Sequence, residues 1–373
     1  MKGLLGRVLG GPSPEDATSA LRGKRPLERV DAGAARTAHK TNPHSTWAAR
    51  AHEANQADRT LACHRIWAGK PELGIRPKFR VGRDQAVFAF GSCFAREVEE
   101  ALVDLGLEVP SRCDELFSRA PLVHEEALNP GARPRAYLNR YNSMSMLDEF
   151  RHLLGLAPEF EQGLLTYRLD RGCAADLHYT QSLRQADLET TMARRRAVRE
   201  HLGPLLRRCK LFVLTLGMAE CWFDEKAGRY LNNTPGARVL AAFGEQLAVH
   251  LTRFEQHRAA LEALHQVIQA VHGDDFRVVI TVSPVPLERS FLAQDVVTTN
   301  SYSKSMLRTA AQEFAAGHDN VDYFPSYELV TFADPRSAWA WDGRHVTAEL
   351  VSHVMTLFRR HYVEGAATDV PNR

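Results

Sequence analysis

The sequence predicts an α/β fold: a three-layer α/β/α sandwich around a mainly parallel sheet. Three largely apolar runs of strand length, at residues 86–90, 211–216 and 277–282, are separated by longer stretches whose apolar residues recur at helical spacing. Runs with so few polar residues are typical of parallel strands covered by helices on both faces. The separation of these strands by helices favours a parallel sheet over an antiparallel one.

A short strand and several helices complete the predicted sandwich. The strand is predicted at residues 321–324, and the first strand passes through a tight turn into a helix with one apolar face. That face carries Val98, Ala101, Leu102 and Leu105. Further helices are predicted at residues 144–154, 188–202, 244–271, 303–316 and 347–362.

Three segments are predicted to lie outside this regular pattern. Residues 107–210 are rich in Arg, Pro and Asn and predict an insertion over the strand ends, where open parallel sheets bind their ligands. Residues 1–66 predict a basic, loosely ordered N-terminal arm, because residues 11–60 lack sustained periodicity. We therefore place the α/β domain at residues 67–362, followed by a C-terminal tail.

Charge is distributed unevenly along the chain, whose formal net charge is +2. Residues 1–80 carry 15 basic and 7 acidic residues, a net charge of +8, and the remainder carries 32 basic and 38 acidic residues, a net charge of −6. The basic segment has few aromatic residues and no nucleic-acid-binding motif, so we expect no specific nucleic acid partner. It is typical of a solvated extension, and a polyanion or a membrane surface is the alternative partner.

The composition is that of an ordinary globular protein, with 44% hydrophobic and 25% charged residues in a chain of 373. No apolar run approaches the roughly 18–20 residues that cross a bilayer, and the N-terminus lacks a secretory signal. We therefore expect a cytoplasmic protein without a transmembrane segment. The six cysteines form no CxxC pair, so we expect no zinc site, no disulfide framework and no cofactor.

Ser92 is the candidate nucleophile, in the turn between the first predicted strand and the first predicted helix. Gly91 before it permits a tight turn and a close approach of substrate. The helix that follows would direct its N-terminal amides and the positive end of its dipole at an oxyanion on an acyl group. A serine that only caps the helix is the alternative interpretation.

A polar turn near the C-terminus supplies the second half of the candidate site, Asp342-Gly343-Arg344-His345. A histidine that takes the serine proton needs a carboxylate to orient its ring, and a separation of three residues across a loop lets both side chains reach one cleft. The order Ser, Asp, His with the last two nearly adjacent is rarer than either part alone. It favours Ser92 as nucleophile, His345 as base and Asp342 as the orienting carboxylate.

Several motifs in this order resemble the GSCFA-domain proteins, which belong to the wider SGNH (GDSL-like) hydrolase superfamily. The resemblance extends over roughly residues 67–360 and includes a Gly-Ser-Cys-Phe-Ala run at residues 91–95. The other matching segments lie at residues 141–143, 215–222, 281–286, 302–305, 323–328 and 342–345. The resemblance implies a flavodoxin-like SGNH fold with Ser92 as nucleophile and Asp342 and His345 as the dyad, and it implies no particular substrate.

One departure from the superfamily pattern concerns the oxyanion hole. The superfamily's third block usually reads Gly-x-Asn-Asp, and its Asn donates to the oxyanion, whereas residues 217–220 read Gly-Met-Ala-Glu. Loss of one such donor costs about 2.7–4 kcal/mol of transition-state stabilisation in a related mechanism. We therefore expect a substitute: the side chain of Asn142, with the backbone amide of Ser92 as second donor and Gly217 in the wall.

Three side chains are candidates for substrate binding. Glu220 and Trp222 follow a strand end, and an aromatic ring beside a carboxylate suits sugar recognition. Structural packing is an equal interpretation for Trp222. His178 lies in the predicted insertion, where it would either bind substrate or be an ordinary polar or packing residue.

Other polar residues near these motifs have a structural interpretation. Cys93 beside Ser92 is predicted to be a small buried residue rather than the nucleophile, because consecutive residues at the turn point in different directions. Lys304 and Arg308 lie one helical turn apart and would meet an anionic group of a substrate, but a solvated helix face is the simpler interpretation.

The sequence thus predicts a serine esterase or O-acyltransferase that acts on an acyl group of a glycan or another hydroxylated small molecule through an acyl-serine intermediate. The lack of a secretory signal favours polysaccharide modification inside the cell. The alternative is a catalytically weak carbohydrate- or partner-binding module on the same fold, which the missing third-block Asn permits. A polyanion-binding protein that works through the basic arm is a third, less favoured interpretation.

Overall fold

The computed structural model describes most of the chain, in five ranges: 27–48, 60–118, 121–122, 128–129 and 132–365. These residues fall into two units, which divide between Ser45 and Thr46. In the first unit, helix α1 (Ala32–Thr41) begins after Asp31, whose carboxylate accepts a hydrogen bond from the Ala34 N–H at 2.9 Å. This helix has no buried residue and lies within the predicted N-terminal arm.

The predicted arm and tail are described only in part. Residues 1–26 and 49–59 of the arm lie outside the described residues, as do residues 366–373 of the tail predicted at residues 363–373. No helix in the described ranges combines the length and the apolar character needed to cross a bilayer.

The second unit contains the remaining helices and all the strands of the described residues. The strands, in chain order, are β1 (Val87–Gly91), β2 (Thr166–Arg168), β3 (Cys173–Asp176), β4 (Ala186–Asp187), β5 (Leu211–Leu216), β6 (Glu220–Asp224), β7 (Arg229–Tyr230), β8 (Leu247–Leu251), β9 (Arg277–Val282) and β10 (Val321–Tyr323). The helices are α2 (Cys93–Asp104), α3 (Ser143–Leu153), α4 (Pro158–Glu161), α5 (Leu188–Arg208), α6 (Ala237–Phe243), α7 (Phe254–His272), α8 (Val296–Gly317), α9 (Ser326–Thr331), α10 (Pro335–Ala338) and α11 (Ala348–Tyr362).

A parallel sheet forms the centre of this unit, and among the described residues it has the strand order β1-β5-β9-β10. Each neighbouring pair is parallel, with Val87 opposite Leu211 and Leu211 opposite Arg277. The predicted α/β class and parallel sheet are therefore confirmed. In the described ranges, β2-β3-β4 and β7-β6-β8 form two smaller antiparallel sheets.

Alternate side chains of the central strands enter different hydrophobic cores. Phe88, Phe212 and Ile280 pack with α3, α5, α7 and α8 on one face. Val87 and Val213 pack with α2, α9 and α11 on the other face. Because successive side chains of a strand point to opposite faces, a strand that is apolar throughout must be covered on both sides. The helices accordingly form a layer on each side of the sheet.

Part of the predicted insertion belongs to the main core. Phe150 of α3 and Val198 of α5 are fully buried against the sheet, because the apolar faces of these helices complete one helical layer. Elsewhere in the segment, Phe160, Tyr167 and Leu177 form a separate small core. The insertion predicted at residues 107–210 is therefore only in part a structure at the strand ends.

One predicted helix is partly a strand. The helix expected at residues 244–271 begins at Phe254, and it is preceded by β8. Leu247 and Leu251 of β8 lie opposite Asp224 and Glu220 of β6 in an antiparallel pair. The strand forms because β6 offers a row of backbone partners, which helical periodicity in the sequence alone does not reveal.

A buried ion pair connects the segment before α3 to the central sheet. Arg140 Nη2 lies 2.8 Å from Glu149 Oε2, and both side chains are fully buried. Glu149 also accepts hydrogen bonds from His178 Nε2 at 2.6 Å and from the Tyr179 hydroxyl at 3.1 Å. Burial alone would raise the pKa of Glu149, but Arg140 and the His178 hydrogen bond outweigh it and hold that pKa below its usual value. The backbone N–H of Arg140 donates to the Gly91 carbonyl at 2.7 Å. The residue that forms the buried ion pair is thereby bonded to the end of β1.

Removal of Glu149 should therefore destabilise the fold strongly. We expect Glu149→Ala to lower the free energy of unfolding by about 3–5 kcal/mol, because it leaves the buried Arg140 charge uncompensated. The matched control is Glu97→Ala, which breaks the exposed pair with Arg133 and should cost at most about 1 kcal/mol. Urea unfolding of both variants measures the difference, and equal losses would contradict the assignment.

The same network gives a pH dependence. Because the folded-state pKa of Glu149 is lowered, its contribution to stability is present above about pH 4.3, the usual glutamate pKa, and is lost as the pH falls further.

Candidate active site

Ser92 lies between β1 and α2, at the carboxyl edge of the central sheet. Its backbone occupies the N-cap position of α2, but its side chain makes no capping hydrogen bond to a described residue. Instead, Ser92 Oγ lies 3.3 Å from Ser283 Oγ, which follows β9. The interpretation of Ser92 as a simple helix cap therefore does not fit this structure.

Gly91 is needed because two strands approach closely at this point. A Cβ atom at residue 91 would lie 2.6 Å from Thr215 Cβ and 2.9 Å from the Thr215 carbonyl oxygen. These separations are shorter than van der Waals contact, so any side chain at residue 91 would push β1 away from β5. The glycine thus keeps Ser92 close to the end of β5.

A cavity of about 450 Å³ lies at the carboxyl ends of β1, β5 and β9, where Ser92, Gly217 and Ser283 form part of its wall. Polar and charged side chains supply much of the rest, namely Tyr141, Asn142, Gln181, Glu220, Asn232, Asn233, Thr234, Glu288, Arg289 and Arg344. Within the described ranges, no group of three or more His, Cys, Asp or Glu side chains is arranged to hold a metal ion. The cavity has the volume and mixed lining of a small-molecule site.

The predicted Asp–His dyad is formed in the turn before α11. Asp342 Oδ2 lies 2.5 Å from His345 Nδ1, and Asp342 Oδ1 accepts hydrogen bonds from the Arg344 and His345 N–H groups at 3.0 Å each. Gly343 permits this turn because its φ is +65°, in the left-handed region. The Ala340 N–H closes the turn by donating to the His345 carbonyl at 2.7 Å.

These hydrogen bonds fix the chemistry of the imidazole. The hydrogen bond from His345, followed by the two from backbone N–H groups, holds the pKa of Asp342 well below its usual value. An ionised carboxylate can only accept, so Nδ1 of His345 carries a proton. In the neutral form of the ring the lone pair is then on Nε2, which is the tautomer that a general base requires.

One residue of the dyad turn lies in the cavity wall. This residue is Arg344, which stands between Asp342 and His345 in the sequence, and its Nε donates to the Pro286 carbonyl at 3.2 Å. Asp342 and His345 themselves are not among the described residues that line the cavity. Among the described residues, no hydrogen bond joins Ser92 to His345. The dyad is thus formed, but Ser92 is bonded to Ser283 and not to His345 in this structure.

The side chain of Asn142 is both a helix cap and part of the cavity wall. Its Oδ1 accepts from the Ser145 N–H at 2.8 Å at the start of α3, and its Nδ2 donates to the Leu231 carbonyl at 3.1 Å. Because Oδ1 faces a donor, the orientation of the amide is fixed. One Nδ2 hydrogen remains without a partner among the described residues.

Gly217 also lies in the cavity wall, and its carbonyl and amide groups are in different environments. The carbonyl accepts from Lys304 Nζ at 2.9 Å. The Gly217 N–H is used by none of the hydrogen bonds of the described residues. The cavity wall thus contains all three residues proposed for the oxyanion hole, namely Ser92, Asn142 and Gly217.

Glu220 and Trp222 also reach the cavity wall, where they support a loop. The Glu220 carboxylate accepts from the Ser290 hydroxyl at 2.7 Å and from the Phe291 N–H at 2.6 Å. The Trp222 ring meets the Phe291 ring edge to face at 5.2 Å. Trp222 Nε1 is buried without a hydrogen-bond partner among the described residues. The Glu220 carboxylate is therefore occupied by the protein itself, whereas the indole N–H is available.

His178 lies outside the cavity wall. Its side chain is 1% exposed and bonds to Glu149 in the network behind α3. Burial lowers the pKa of His178 to about 4, so the ring is neutral near pH 7. The structure thus gives His178 a packing role rather than the predicted contact with substrate.

Cys93, Lys304 and Arg308, for which the sequence favours a structural role, lie in different environments. Cys93 lines the cavity, and burial raises the pKa of its thiol, which disfavours the reactive thiolate. The solvated helix face predicted for Lys304 is wrong, because its side chain is 1% exposed. Arg308 pairs with Glu328 at 2.6 Å and lies over the Tyr323 ring at 3.7 Å.

Sequence reasoning missed several residues of the site. Ser283 could have been found, because it follows a predicted strand as Ser92 and Gly217 do. Asn232 gives no such signal: its Oδ1 accepts from the Tyr141 N–H and its Nδ2 donates to the Asn139 carbonyl, both through tertiary contacts.

Comparison with known proteins places this site in a family. The family model of the GSCFA family matches residues 86–358. The chain belongs to the GSCFA family. The GSCFA match runs from the start of β1 into α11, so Ser92 and the Asp342–His345 turn lie inside it. No curated protein matches the chain.

The tautomer of His345 can be tested directly. We expect the neutral ring to carry its proton on Nδ1, and we expect Asp342→Ala to shift it towards the Nε2–H tautomer, because the acceptor is removed. Long-range ¹⁵N–¹H correlation spectra of the imidazole measure this. Asp334→Ala, which removes a capping carboxylate at the start of α10, is the matched control and should leave the tautomer unchanged. An unchanged tautomer in Asp342→Ala would contradict the dyad.

Proposed function

We propose that the protein is an SGNH-type serine esterase or O-acyltransferase that acts on an acyl group of a glycan or another hydroxylated small molecule. One observation carries the proposal: Ser92 lies in the wall of a cavity and does not cap its helix, and the turn that holds the bonded Asp342–His345 dyad contributes Arg344 to the same wall. The parallel sheet covered by helices on both faces supports an SGNH-type fold.

In the proposed reaction, Nε2 of His345 takes the Ser92 proton as Oγ attacks the acyl carbonyl carbon. The oxyanion formed there accepts hydrogen bonds from the Gly217 N–H, the free Nδ2 hydrogen of Asn142 and the Ser92 amide. When the intermediate collapses, the ester C–O bond breaks and His345 returns the proton to the leaving alcohol. Water or an acceptor hydroxyl then attacks the acyl carbon and gives its proton to His345; the bond between that carbon and Ser92 Oγ breaks, and His345 returns the proton to Oγ.

The bond between Ser92 and Ser283 is compatible with this reaction. Its length of 3.3 Å exceeds the usual 2.7–2.8 Å of an O–H···O hydrogen bond. Replacement of this weak bond by one to His345 therefore costs little.

The cavity lining supports a hydroxylated substrate. Amide side chains of Gln181 and Asn233 lie in the wall together with Trp222. Amides can both donate to and accept from hydroxyl groups, and an aromatic face suits the apolar side of a sugar ring.

A carbohydrate- or partner-binding module is the second candidate. The observation that favours it is that Ser92 bonds to Ser283 and not to His345 in this structure. In that case the same cavity would bind a glycan without acyl transfer.

Labelling with a fluorophosphonate probe separates the two candidates. We expect the native protein to be modified on Ser92, Ser92→Ala not to be labelled, and His345→Ala to react about 100-fold or more slowly, because the general base is lost. Cys93→Ser is the matched control and should still be labelled on Ser92. Peptide mass spectrometry locates the adduct. A native protein that is not labelled, or equal labelling of Ser92→Ala, would favour the binding module.

The role of Asn142 needs two substitutions, because the residue also caps α3. Asn142→Ser keeps a capping oxygen but removes the amide donor, so we expect turnover of an activated ester to fall about 100- to 1,000-fold, and stability to fall by about 1 kcal/mol through the lost bond to the Leu231 carbonyl. Asn142→Ala should show the same loss of turnover and lose about a further 1 kcal/mol with the cap. A folded Asn142→Ser protein with undiminished turnover would remove Asn142 from the oxyanion hole.

A further inference from the structure

Lys304 of α8 is a buried cation without a carboxylate partner. Its side chain is 1% exposed, and Nζ donates to the Gly217 carbonyl at 2.9 Å. Among the described residues, no carboxylate oxygen lies within 4.0 Å of Nζ. The other large cations that are fully buried there, Arg140 and Arg195, pair with Glu149 and Asp176 respectively. A buried ammonium without a counterion is costly, so its place at this site calls for a function.

The position of Lys304 connects it to the wall of the active site. Ser303, its neighbour in α8, accepts a hydrogen bond from the Ala219 N–H at 2.9 Å, and the Tyr141 carbonyl accepts one from the Met218 N–H at 2.9 Å. With the Lys304 bond, these contacts fix the backbone of residues 217–219 at three points. The Gly217 N–H is left free for a ligand in the cavity.

We propose that Lys304 is a positioning residue for the oxyanion hole. Its ammonium group holds the Gly217 carbonyl so that the Gly217 N–H faces the reacting carbonyl oxygen, and its positive charge stabilises the negative charge that develops there. This inference rests on the proposed acyl-transfer reaction. The role proposed for Lys304 also explains how acyl transfer could proceed without an Asn in residues 217–220. A nearby cation strengthens the hydrogen bonds that the remaining donors make to the oxyanion.

The charge on Lys304 changes near neutral pH. Burial lowers the pKa of Lys304 to about 7. The positive charge of Arg344 in the dyad turn also lowers this pKa, whereas Cys93 at the start of α2 raises it. Among the described residues, α7, β9 and β10, which pack against α8, present no other group that affects this pKa. Lys304 is therefore protonated below about pH 7 and neutral above it. The oxyanion should be stabilised best on the acid side of this value.

The test is the pH profile of the second-order rate of fluorophosphonate labelling at Ser92, from about pH 5.5 to about pH 9. For the native protein we expect the rate to fall as the pH rises through about 7. Lys304→Met, which keeps the length and removes the charge, should react at least about 10-fold more slowly near pH 6, short of the roughly 100- to 1,000-fold loss of a direct donor. Its profile should also lack the fall on the alkaline side.

Two further variants isolate the charge. Lys304→Arg keeps a cation whose pKa exceeds about 12, so the variant should retain most of the rate near pH 6 and keep it at higher pH. Cys93→Ala tests the nearest thiol, and the alkaline fall should persist in it. Thermal unfolding checks each fold, and we expect Lys304→Met to fold because loss of an unpaired buried charge is often neutral or stabilising.

The outcomes distinguish this inference from the function on which it rests. If Lys304→Met labels as fast as the native protein, or is slower by the same factor at every pH, Lys304 has no electrostatic role and the inference is overturned alone. If the native protein is not labelled at any pH, the proposed function fails and the inference fails with it.

Discussion

The buried ion pair between Arg140 and Glu149 is the constraint on which the arrangement of the site depends. Neither charge can be left alone in the interior, so the segment before α3 has one low-energy position relative to the sheet. In that position the backbone N–H of Arg140 donates a hydrogen bond to the carbonyl of Gly91, the residue directly before Ser92. The two residues that follow Arg140 then contribute to the cavity: the Tyr141 carbonyl holds Met218, and Asn142 begins α3. This network, which reaches the backbone directly before Ser92, thus aligns three parts of the wall.

Features that depend on local sequence could be predicted, and those that depend on a distant partner could not. The central strands, the position of Ser92 and the bonded Asp342–His345 turn follow from apolar runs and from a three-residue spacing, and the structure forms them where expected. β8 was predicted as helix because its strand form depends on β6, more than twenty residues earlier. The burial of Lys304 could likewise not be predicted, because helical spacing gives the direction of a side chain and not how deeply that side chain is buried. His178 needed knowledge of Glu149, to which it bonds.

The loop after β9 affects whether the proposed reaction would be hydrolysis or transfer. Glu220 binds two groups of this loop, and Phe291 packs on Trp222, so one side of the cavity is closed by contacts within the protein. In the proposed reaction, the amount of water that reaches an acyl-Ser92 depends on how long these contacts last. The Glu220 carboxylate, which the sequence suggests as a ligand for sugar, therefore holds this loop in place in the cavity wall.

Asn142 starts a helix and faces a cavity with the same planar amide. Its rotation is already prevented by the Ser145 and Leu231 bonds when the chain folds. The amide therefore loses its conformational entropy during folding, and not at each encounter with a ligand. If Asn142 is the oxyanion donor proposed above, one side chain at the beginning of α3 contributes both to the stability of the fold and to the rate of the proposed reaction.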